Sequence, residues 1–300
     1  MYFRFPLLLT LLSLCILFSC KKETTRIITN DYQQYNLKGK VKSISEINYS
    51  ANGKYRTIIQ FDEQGFIKEQ ASYNPDGSLI RKWVNEYNSD HLKVSRSCYV
   101  GHDSLSYILR YYYNRQGKLI WTKLFDSNNY LESQYSTEYD DSLNIVKETF
   151  LGDDASYKNL VVHTYNDQNK IKEDLFLDTV RNHEWKQLYH YNDRSQLEEI
   201  ILQSPNDSIL NKTKYTYLSN NKVDKVYHYN AKMELESITD YNYDSMDNIV
   251  EILEITPDNI TRKSNTYQYN YDKNGNWTFL SETENHKNGN IITRKIEYYN

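Results

Sequence analysis

Apolar and polar positions along this chain follow a period of 26 residues. Each period opens with an aromatic residue, followed in most periods by Asp or Asn, two variable positions, a turn-forming residue, one more residue and an apolar residue, as from Tyr271 to Trp277. A weaker copy of the phrase follows most of these aromatic residues after 12 residues. The opening residues, hereafter the anchors, are Tyr35, Phe61, Tyr87, Tyr113, Tyr139, Tyr165, Tyr191, Tyr217, Tyr243 and Tyr271. The pattern predicts ten units of two turns each.

The polar part of the phrase predicts a tight hairpin turn. Asp or Asn at the first position of a type I turn caps it with its side chain, and Gly at the fourth tolerates positive φ. Such a turn makes a three-residue hairpin loop with a bulge. Pro75, Pro205 and Pro257 fall at the second turn position, where a fixed φ is favourable. Positive φ is predicted at Gly65, Gly77, Gly117, Gly275, Asn129, Asn169 and Asn221.

The segments between the turns have the length and alternation of β-strands. They run for about seven or eight residues, and pairs such as Tyr241 and Tyr243 share one face because strand side chains alternate. The sequence therefore predicts an all-β fold, an antiparallel β-meander of about 20 short strands built from the 26-residue double-hairpin repeat. Laid flat, such a sheet would be on the order of 95 Å wide. We expect it to coil into a spiral sheet or a partly closed shell.

The start of the chain has the pattern of a targeting segment. Arg4 precedes an apolar run that is too short for a stable membrane span. The stretch Leu17-Phe18-Ser19-Cys20 resembles the cleavage site of bacterial lipoproteins. That resemblance implies a signal peptide over residues 1–19, cleavage before Cys20, and lipidation of Cys20. An ordinary secretory signal or an uncleaved anchor is the alternative.

The remaining chain is predicted to comprise a tether and one domain. Residues 20–34, which carry the lipidated Cys20, are polar and lack periodicity, as in a flexible tether. Residues 35–300 form a single repeat domain. Cleavage would remove Cys15 and leave Cys98 alone, so no internal disulfide is expected. Lys21 after the lipidated position favours the outer membrane if enterobacterial sorting applies, and the membrane is the partner implied by the lipid.

Composition and charge narrow the classes of partner. The chain has 30 Tyr in 300 residues, with a mean hydropathy of −0.81, so a large aliphatic core is not expected. The net charge is −4 and both signs are scattered, which gives no indication of a nucleic-acid partner. Charged residues inside the predicted strands, such as Arg81, Lys123 and Glu173, disfavour the apolar outer band of a transmembrane barrel.

The repeat resembles the YD-repeat (Rhs-type) family. The resemblance rests on phrases such as Tyr271-Asp272-Lys273-Asn274-Gly275-Asn276 and Phe61-Asp62-Glu63-Gln64-Gly65, and it covers residues 35–300. The chain is similar in particular to small YD-repeat-like lipoproteins of Bacteroidetes. Larger relatives form β-shells that can enclose a toxin, but the longer period and the terminal strand do not support toxin delivery here.

The sequence contains no recognised catalytic motif. His102-Asp103-Ser104 has the residue types of a triad, but neighbours in one turn cannot converge as a triad requires. The turn from Asp272 to Asn276 lacks the ligand spacing of a known calcium loop. We therefore predict no enzyme activity, no catalytic, cofactor-binding or metal-binding residues, and no cofactor. A buried cluster of His, Asp and Glu from distant repeats would instead favour an enzyme.

Two surface features suggest binding or modification. Tryptophans could stack against sugars or peptides, although packing within the repeat, whose period the aromatic positions follow, is the favoured explanation; they are Trp83, Trp121, Trp185 and Trp277. An Asp-Ser/Thr-apolar motif in predicted turns resembles the O-glycosylation motif of exported Bacteroidetes proteins, although Asp and Ser also favour turns by themselves. The candidate acceptors are Ser104, Ser142, Thr179, Ser208 and Ser245.

The sequence does not identify a ligand. The leading hypothesis is a non-enzymatic, lipid-anchored protein of the bacterial cell envelope that acts as a binding or scaffold module. The alternative is a surface lipoprotein that binds glycan or peptide with an aromatic Tyr/Trp face. Either protein could lie on the periplasmic or the external side of the outer membrane.

Overall fold

The computed structural model describes residues 30–50, 53–152, 158–179 and 181–300. Over these ranges the chain forms twenty strands joined by tight turns, and no helix there has the length and apolar character of a membrane span. The strands are β1 (Val41–Ser50), β2 (Gly53–Phe61), β3 (Ile67–Tyr73), β4 (Leu79–Tyr87), β5 (Lys93–Val100), β6 (Ser104–Tyr113), β7 (Leu119–Asp126), β8 (Leu131–Tyr139), β9 (Ile145–Gly152), β10 (Lys158–Tyr165), β11 (Ile171–Asp178), β12 (His183–Tyr191), β13 (Leu197–Gln203), β14 (Ile209–Tyr217), β15 (Val223–Tyr229), β16 (Leu235–Tyr243), β17 (Ile249–Ile255), β18 (Thr261–Tyr271), β19 (Trp277–Glu284) and β20 (Lys287–Tyr298). The predicted antiparallel meander is confirmed.

The sheet closes on itself between its first and last strands. Ile44 of β1 lies opposite Ile59 of β2 on one side and opposite Ile296 of β20 on the other. The fold is therefore a closed, twenty-stranded antiparallel barrel. The expectation of a spiral sheet or partly closed shell is wrong, because pairing of β1 with β20 satisfies the backbone groups that an open edge would leave unpaired.

The predicted turn geometry is present. At the turn between β2 and β3, the Gly65 amide donates to the Asp62 carbonyl at 3.1 Å, and the Asp62 amide donates to the Phe66 carbonyl at 2.9 Å. Asp62 Oδ1 also accepts the amides of Gln64 and Phe66 at 3.0 and 2.9 Å. All seven Gly and Asn residues predicted to be left-handed have φ between 60° and 89°. The phrase thus specifies a type I turn that ends in a left-handed residue.

The anchor tyrosines tie neighbouring strands together at one rim. Tyr217 at the end of β14 donates its hydroxyl hydrogen bond to the carbonyl of Leu197, the first residue of β13, at 2.6 Å. Phe61 has no hydroxyl, and Tyr271, which follows a 28-residue step, instead bonds Asp244 and Asn248. Seven anchors donate a hydroxyl hydrogen bond to the carbonyl 20 residues earlier, namely Tyr87, Tyr113, Tyr139, Tyr165, Tyr191, Tyr217 and Tyr243. We call this end of the barrel the anchor rim.

The two faces of the wall differ in burial. On even-numbered strands, the residue one before the anchor is mostly exposed, as at Glu86 and His190, whereas the residue two before it is buried or half-buried. Tyr35 shows which face is concave, because it lies near Arg96 on β5 and Arg294 on β20. Burial raises the Tyr35 pKa, and the positive charges of these two arginines act against that rise. A side chain that reaches both strands must lie on the concave side. The face that carries the buried row is therefore the inner face.

The barrel is too wide to be filled by its own side chains. A twenty-stranded wall is on the order of 35–40 Å across, and barrels of about 16–18 strands already leave a channel. Most inner side chains are half-buried rather than buried. The buried apolar cluster of the described chain occupies one sector and consists of Val41, Ile44, Ile59, Phe61 and Ile67. A wall of this width, with most inner side chains half-buried, leaves an open lumen in the rest of the interior.

Residues 30–40, hereafter the strap, pack on that cluster and across the anchor rim. Asp31 accepts the Ile67 amide at 2.6 Å, and its own amide donates to the Gly65 carbonyl at 3.0 Å. At the other end, Lys38 exchanges two 2.8 Å hydrogen bonds with the Asn276 side chain. Residues 30–34 of the expected tether thus lie on the barrel, and residues 20–29, with Cys20, lie outside the described residues.

The turn geometry predicts the effect of changing Gly117. Its φ is 73°, so Gly117→Val should destabilise the protein by about 1 kcal/mol or more, because a β-branched residue tolerates this conformation poorly. Gly117→Asn is the matched control and should cost less, since Asn occupies the equivalent place at Asn169 with φ 60°. Urea denaturation measures both variants. Equal stability of Gly117→Val and the wild type would contradict the assignment.

The anchor bond predicts a second effect on stability. Tyr217→Phe removes the hydroxyl that the Leu197 carbonyl accepts and should destabilise the barrel by about 0.5–1.5 kcal/mol. Tyr130→Phe is the control, since Tyr130 is 72% exposed and should change the free energy of unfolding by less than about 0.5 kcal/mol. Equal effects in the two denaturation curves would show that the anchor hydroxyl does not stabilise the rim.

Candidate functional site

One ring of inner residues divides the lumen into chemically different arcs. The ring, hereafter the belt, consists of the residue two before each anchor on β2 to β18 and its partner on the next strand. The pairs are Ile59 with Gln70, Asn85 with Arg96, Tyr111 with Thr122, Thr137 with Glu148, His163 with Asp174, Tyr189 with Ile200, Tyr215 with Val226, Tyr241 with Ile252, and Tyr269 with Leu280. From β4 to β11 the belt is mainly polar, and we call this part the polar arc. From β12 to β19 it is aromatic and aliphatic, and we call this part the aromatic arc.

The polar arc contains a buried histidine between two carboxylates. His163 on β10 places Nδ1 2.6 Å from Asp174 Oδ1 on β11. Its Nε2 lies 3.4 Å from Glu148 Oε2 on β9, an ion-pair distance. Tyr189 on β12 donates its hydroxyl hydrogen bond to Asp174 Oδ2 at 2.6 Å, and Tyr135 on β8 interacts with Glu148. One network thus links five consecutive strands.

The network holds His163 in its charged form. Burial opposes the charge, but the contacts with Asp174 and Glu148 outweigh it and raise the His163 pKa to about 9. Burial also acts against the charged form of Glu148, yet its contacts with His163 and Tyr135 lower its pKa. Burial and the Asp174 contact raise the pKa of Tyr189. At neutral pH the arc therefore holds an imidazolium between carboxylates, with neutral tyrosines at its ends.

This charge state determines what the network can do. A protonated imidazole cannot accept a proton, so His163 is not a general base near neutral pH. Both Asp174 oxygens are already used, one by His163 and the other by Tyr189. Within the described ranges, no group of three His, Cys, Asp or Glu residues is arranged to hold a metal ion. The geometry fits a stabilising charge network in the wall.

The aromatic arc leaves polar atoms available. Tyr215 and Tyr241 are half-buried, and burial is the main cause of the raised pKa of each. In the part of the chain that the structure describes, neither hydroxyl has a hydrogen-bond partner in the protein. These side chains therefore offer a ring face and a free hydroxyl to the lumen.

The four candidate stacking tryptophans do not form one patch. Trp83 on β4, Trp185 on β12 and Trp277 at the start of β19 lie on the inner face, in separate sectors of the wall. Trp121 on β7 lies on the outer face, opposite Ser136. Sequence spacing alone did not indicate how far apart the repeat places them around a closed barrel.

Each tryptophan already has a partner in the protein. Trp185 stacks on Phe176 with centroids 5.3 Å apart. Trp83 lies beneath the guanidinium of Arg96, and Trp277 lies 3.3 Å from that of Arg294. Lys123 covers the Trp121 ring at 5.4 Å. These contacts use ring faces that a stacked ligand would otherwise occupy.

The five candidate glycosylation sites are all exposed and divide between the two rims. Ser142 and Ser245 lie in turns of the anchor rim, between β8 and β9 and between β16 and β17. Ser104, Thr179 and Ser208 lie at the opposite rim, and the Thr179 hydroxyl bonds the Lys158 carbonyl at 2.7 Å. Exposure leaves these hydroxyls accessible, and their modification stays a prediction.

Two further residues singled out from the sequence have ordinary surroundings. Cys98 is a free, fully buried cysteine on β5, opposite Trp83. Asp103, next to His102 in an exposed turn, pairs with Lys82 at 2.7 Å rather than with His102.

The His163 network escaped the sequence analysis. The seven histidines are dispersed, and nothing in the period alone marks His163 as different from the others. Superposing the units would have shown that His163 lies two residues before its anchor, where several other units have Tyr. Pairing of β10 with β11 places Asp174 directly opposite His163. The His163 network could therefore be recognised from the way the strands pair, and not from a local sequence motif.

Comparison with known proteins gives no family. No protein-family model matches the chain, and no curated protein matches it significantly. Among solved structures, the chain is similar to TcdB2-TccC3 (12% identity, 82% of this chain and 15% of that chain, TM-score 0.39). It is also similar to porin-like proteins from Bacteroides uniformis (11% identity, 87% and 98% of the two chains, TM-score 0.41) and Bacteroides vulgatus (9%, 86% and 98%, TM-score 0.32). The chain therefore spans about one seventh of the TcdB2-TccC3 chain.

The network predicts a pH dependence of stability. The His163 pKa is about 9 in the folded protein, against an ordinary value of 6.5. Its contribution to stability is thus fully present below about pH 6.5 and is lost as the pH rises through about 9. The difference in unfolding free energy between the wild type and His163→Gln should shrink over this interval in urea denaturation.

His190→Gln provides the matched control, since His190 is exposed on the outer face. Its difference from the wild type should stay flat over the same interval. Titrations of tyrosines and lysines are common to all three proteins and cancel in these differences. A flat difference for His163→Gln would contradict the charged network.

Proposed function

We propose that this protein is a non-enzymatic, lipid-anchored binding module of the bacterial cell envelope that holds its ligand or partner against the inner wall of its barrel. The observation that supports this most directly is the lumen. The wall is closed, its interior is wider than its side chains fill, and most of its inner aromatic side chains are only half-buried. A surface of this kind is concave and mostly preformed, as binding sites usually are.

The proposal of a non-enzymatic role rests on the state of the polar arc. A buried cluster of His, Asp and Glu would favour an enzyme, and His163, Asp174 and Glu148 form such a cluster. Its histidine is charged, however, and the two oxygens of Asp174 are already engaged within the wall. These properties suit a structural role better than proton transfer.

The proposed location rests on the sequence before the strap and on the outer face. Cys20 precedes the strap by ten residues, so a lipid there would keep the barrel close to a membrane, which Lys21 after the lipidated position favours as the outer membrane. The outer face carries charged pairs within its strands, such as Lys147 with Glu138 at 2.6 Å and Lys212 with Glu199 at 3.3 Å. Such a wall fits contact with water rather than with acyl chains.

The alternative, a glycan- or peptide-binding surface lipoprotein, is favoured by the aromatic arc. Tyrosines that present ring faces and free hydroxyls are suited to both kinds of ligand. The arc, rather than the four tryptophans, would then be the binding face, because the tryptophan rings have partners in the protein.

Cross-linking in native membranes tests the function. The full-length protein is cross-linked in its host, purified, and analysed by mass spectrometry for proteins and by compositional analysis for sugars. A reproducible protein partner supports the scaffold form of the proposal, and co-purifying glycan supports the alternative. Recovery of neither, from a preparation that retains its lipid, would contradict a binding role.

The lipid anchor gives a separate prediction. Cys20→Ser removes the thiol that the lipid would occupy, so the variant should leave the detergent phase in a Triton X-114 partition and lose palmitate labelling. Cys98→Ser is the matched control and should keep both properties, because Cys98 is buried in the barrel. Retention of label by Cys20→Ser would overturn the assignment of the anchor.

A further inference from the structure

We propose that the aromatic arc binds an extended, uncharged glycan of β-1,4-linked hexopyranoses, lying across the strands along the inner wall. This inference rests on the proposed binding function and assigns its ligand a chemical class. It uses four features of the arc, namely the spacing of its tyrosines, its lack of charge, its adjacent polar row and its accessibility from the rim.

The first feature is spacing. Tyr215 and Tyr241 are half-buried and occupy equivalent places in successive 26-residue units, on alternate strands of the same wall. Tyr189 has the same place one unit earlier, but it is buried and bonded to Asp174, so it is not part of the stacking surface. Two strand spacings and the stagger between units put equivalent side chains on the order of 10 Å apart. An extended β-1,4-linked chain repeats its ring orientation once per disaccharide, over a comparable length. Tyr215 and Tyr241 can therefore stack on every second sugar of one chain.

The second feature is electrostatic. The side chains of the arc are all uncharged, namely Tyr189, Ile200, Tyr215, Val226, Tyr241, Ile252, Tyr269 and Leu280. Burial raises the pKa of Tyr215 and Tyr241, which keeps them neutral. In the next row of the same face, His228 lies opposite Thr213 and Glu254 lies opposite Thr239. The uncharged belt row complements an uncharged chain, and Glu254 beside it disfavours a polyanion.

The third feature is a row of short polar side chains that alternates with the aromatic pairs. Thr213 lies opposite Ile200, Thr239 opposite Val226, and Asn265 opposite Ile252. Cross-strand partners share a face, so these groups also point into the lumen. The Thr239 hydroxyl lies 3.3 Å from His228 Nε2, and the Asn265 amide nitrogen bonds the Tyr267 hydroxyl at 3.4 Å. The Thr213 hydroxyl, with the free hydroxyls of Tyr215 and Tyr241, supplies hydrogen bonds that sugar hydroxyls require while the rings stack.

The fourth feature is access. The turns between the strands of the arc are short hairpin loops, as at residues 192–196 and 218–222, which do not extend over the lumen. The strap is fixed to the turns at Gly65 and Asn276 and packs on β1, β2 and β20, away from Tyr215 and Tyr241. A linear chain can therefore reach the arc from the end of the barrel.

Isothermal titration calorimetry with two glucose oligomers tests the linkage. Cellohexaose is β-1,4-linked and extended, whereas maltohexaose has the same composition but is α-1,4-linked and helical. The wild-type protein should bind cellohexaose at least tenfold more tightly than maltohexaose. Equal binding of both, or no binding of cellohexaose, would overturn the proposal.

Variants locate the site. Tyr215→Ala and Tyr241→Ala should each weaken cellohexaose binding at least tenfold, and Tyr215→Phe should retain most of it because the stacking ring remains. Tyr112→Ala, on the outer face, is the control and should bind as the wild type does. Circular dichroism establishes that each variant is folded. Unchanged binding by Tyr215→Ala or Tyr241→Ala would place the glycan elsewhere and overturn the assignment.

The two experiments fail independently. Cross-linking in native membranes does not depend on the arc, and it can identify a protein partner even when cellohexaose does not bind. In that case the glycan assignment falls and the binding function stands. If the membranes yield no protein and no glycan while cellohexaose binds tightly and through the arc, the proposed binding role in the native envelope falls and only the glycan-binding capacity of the arc stands.

Discussion

The pairing of β1 with β20 is the interaction on which the rest of the structure depends. It turns a long meander with two exposed edges into a wall without edges. Closure also makes the two faces of the sheet different, because one becomes the concave inner face and the other the convex outer face. Residues on that face, such as Ile44 and Ile59, gain neighbours from the strap, and distant strands are brought to face one lumen. Without closure there would be neither a lumen nor a belt.

Closure is reinforced where the repeat alone would be weakest. The strap covers the sector around the seam, where Tyr32 and Tyr35 pack on Phe61. Arg294 on β20 pairs with Glu46 on β1 at 2.9 Å, which adds a charged contact across the seam. Elsewhere the anchor tyrosines hold each strand to its neighbour. The barrel is therefore stabilised in two ways. The anchor-tyrosine hydrogen bonds recur in most units, whereas the strap and the Arg294–Glu46 pair act once, at the seam.

The sequence allowed the local structure to be predicted and not the global one. Turns were predictable because Asp62, Gly65 and their equivalents act within a few residues of each other. Closure was not, because it depends on the twist and stagger of all twenty strands, which a local pattern does not encode. The His163 network was missed for a related reason, since Glu148 and Asp174 meet it through strand register. Packing of the strap on the barrel was not predicted, because residues 30–34 lack the period of the strands.

The contrast between anchors and belt indicates where specificity lies. The anchor hydroxyls are used by backbone carbonyls, so the abundance of tyrosine at these positions reflects the fold and carries no information about a ligand. Belt positions have the same place in every unit but hold side chains as different as His163 and Tyr215. A fold that requires only an inner-facing residue there leaves its chemistry free to vary. The division of the belt into a charged arc and an aromatic arc is therefore the feature that the repeat does not explain, and a ligand held by one wall of the lumen would account for it.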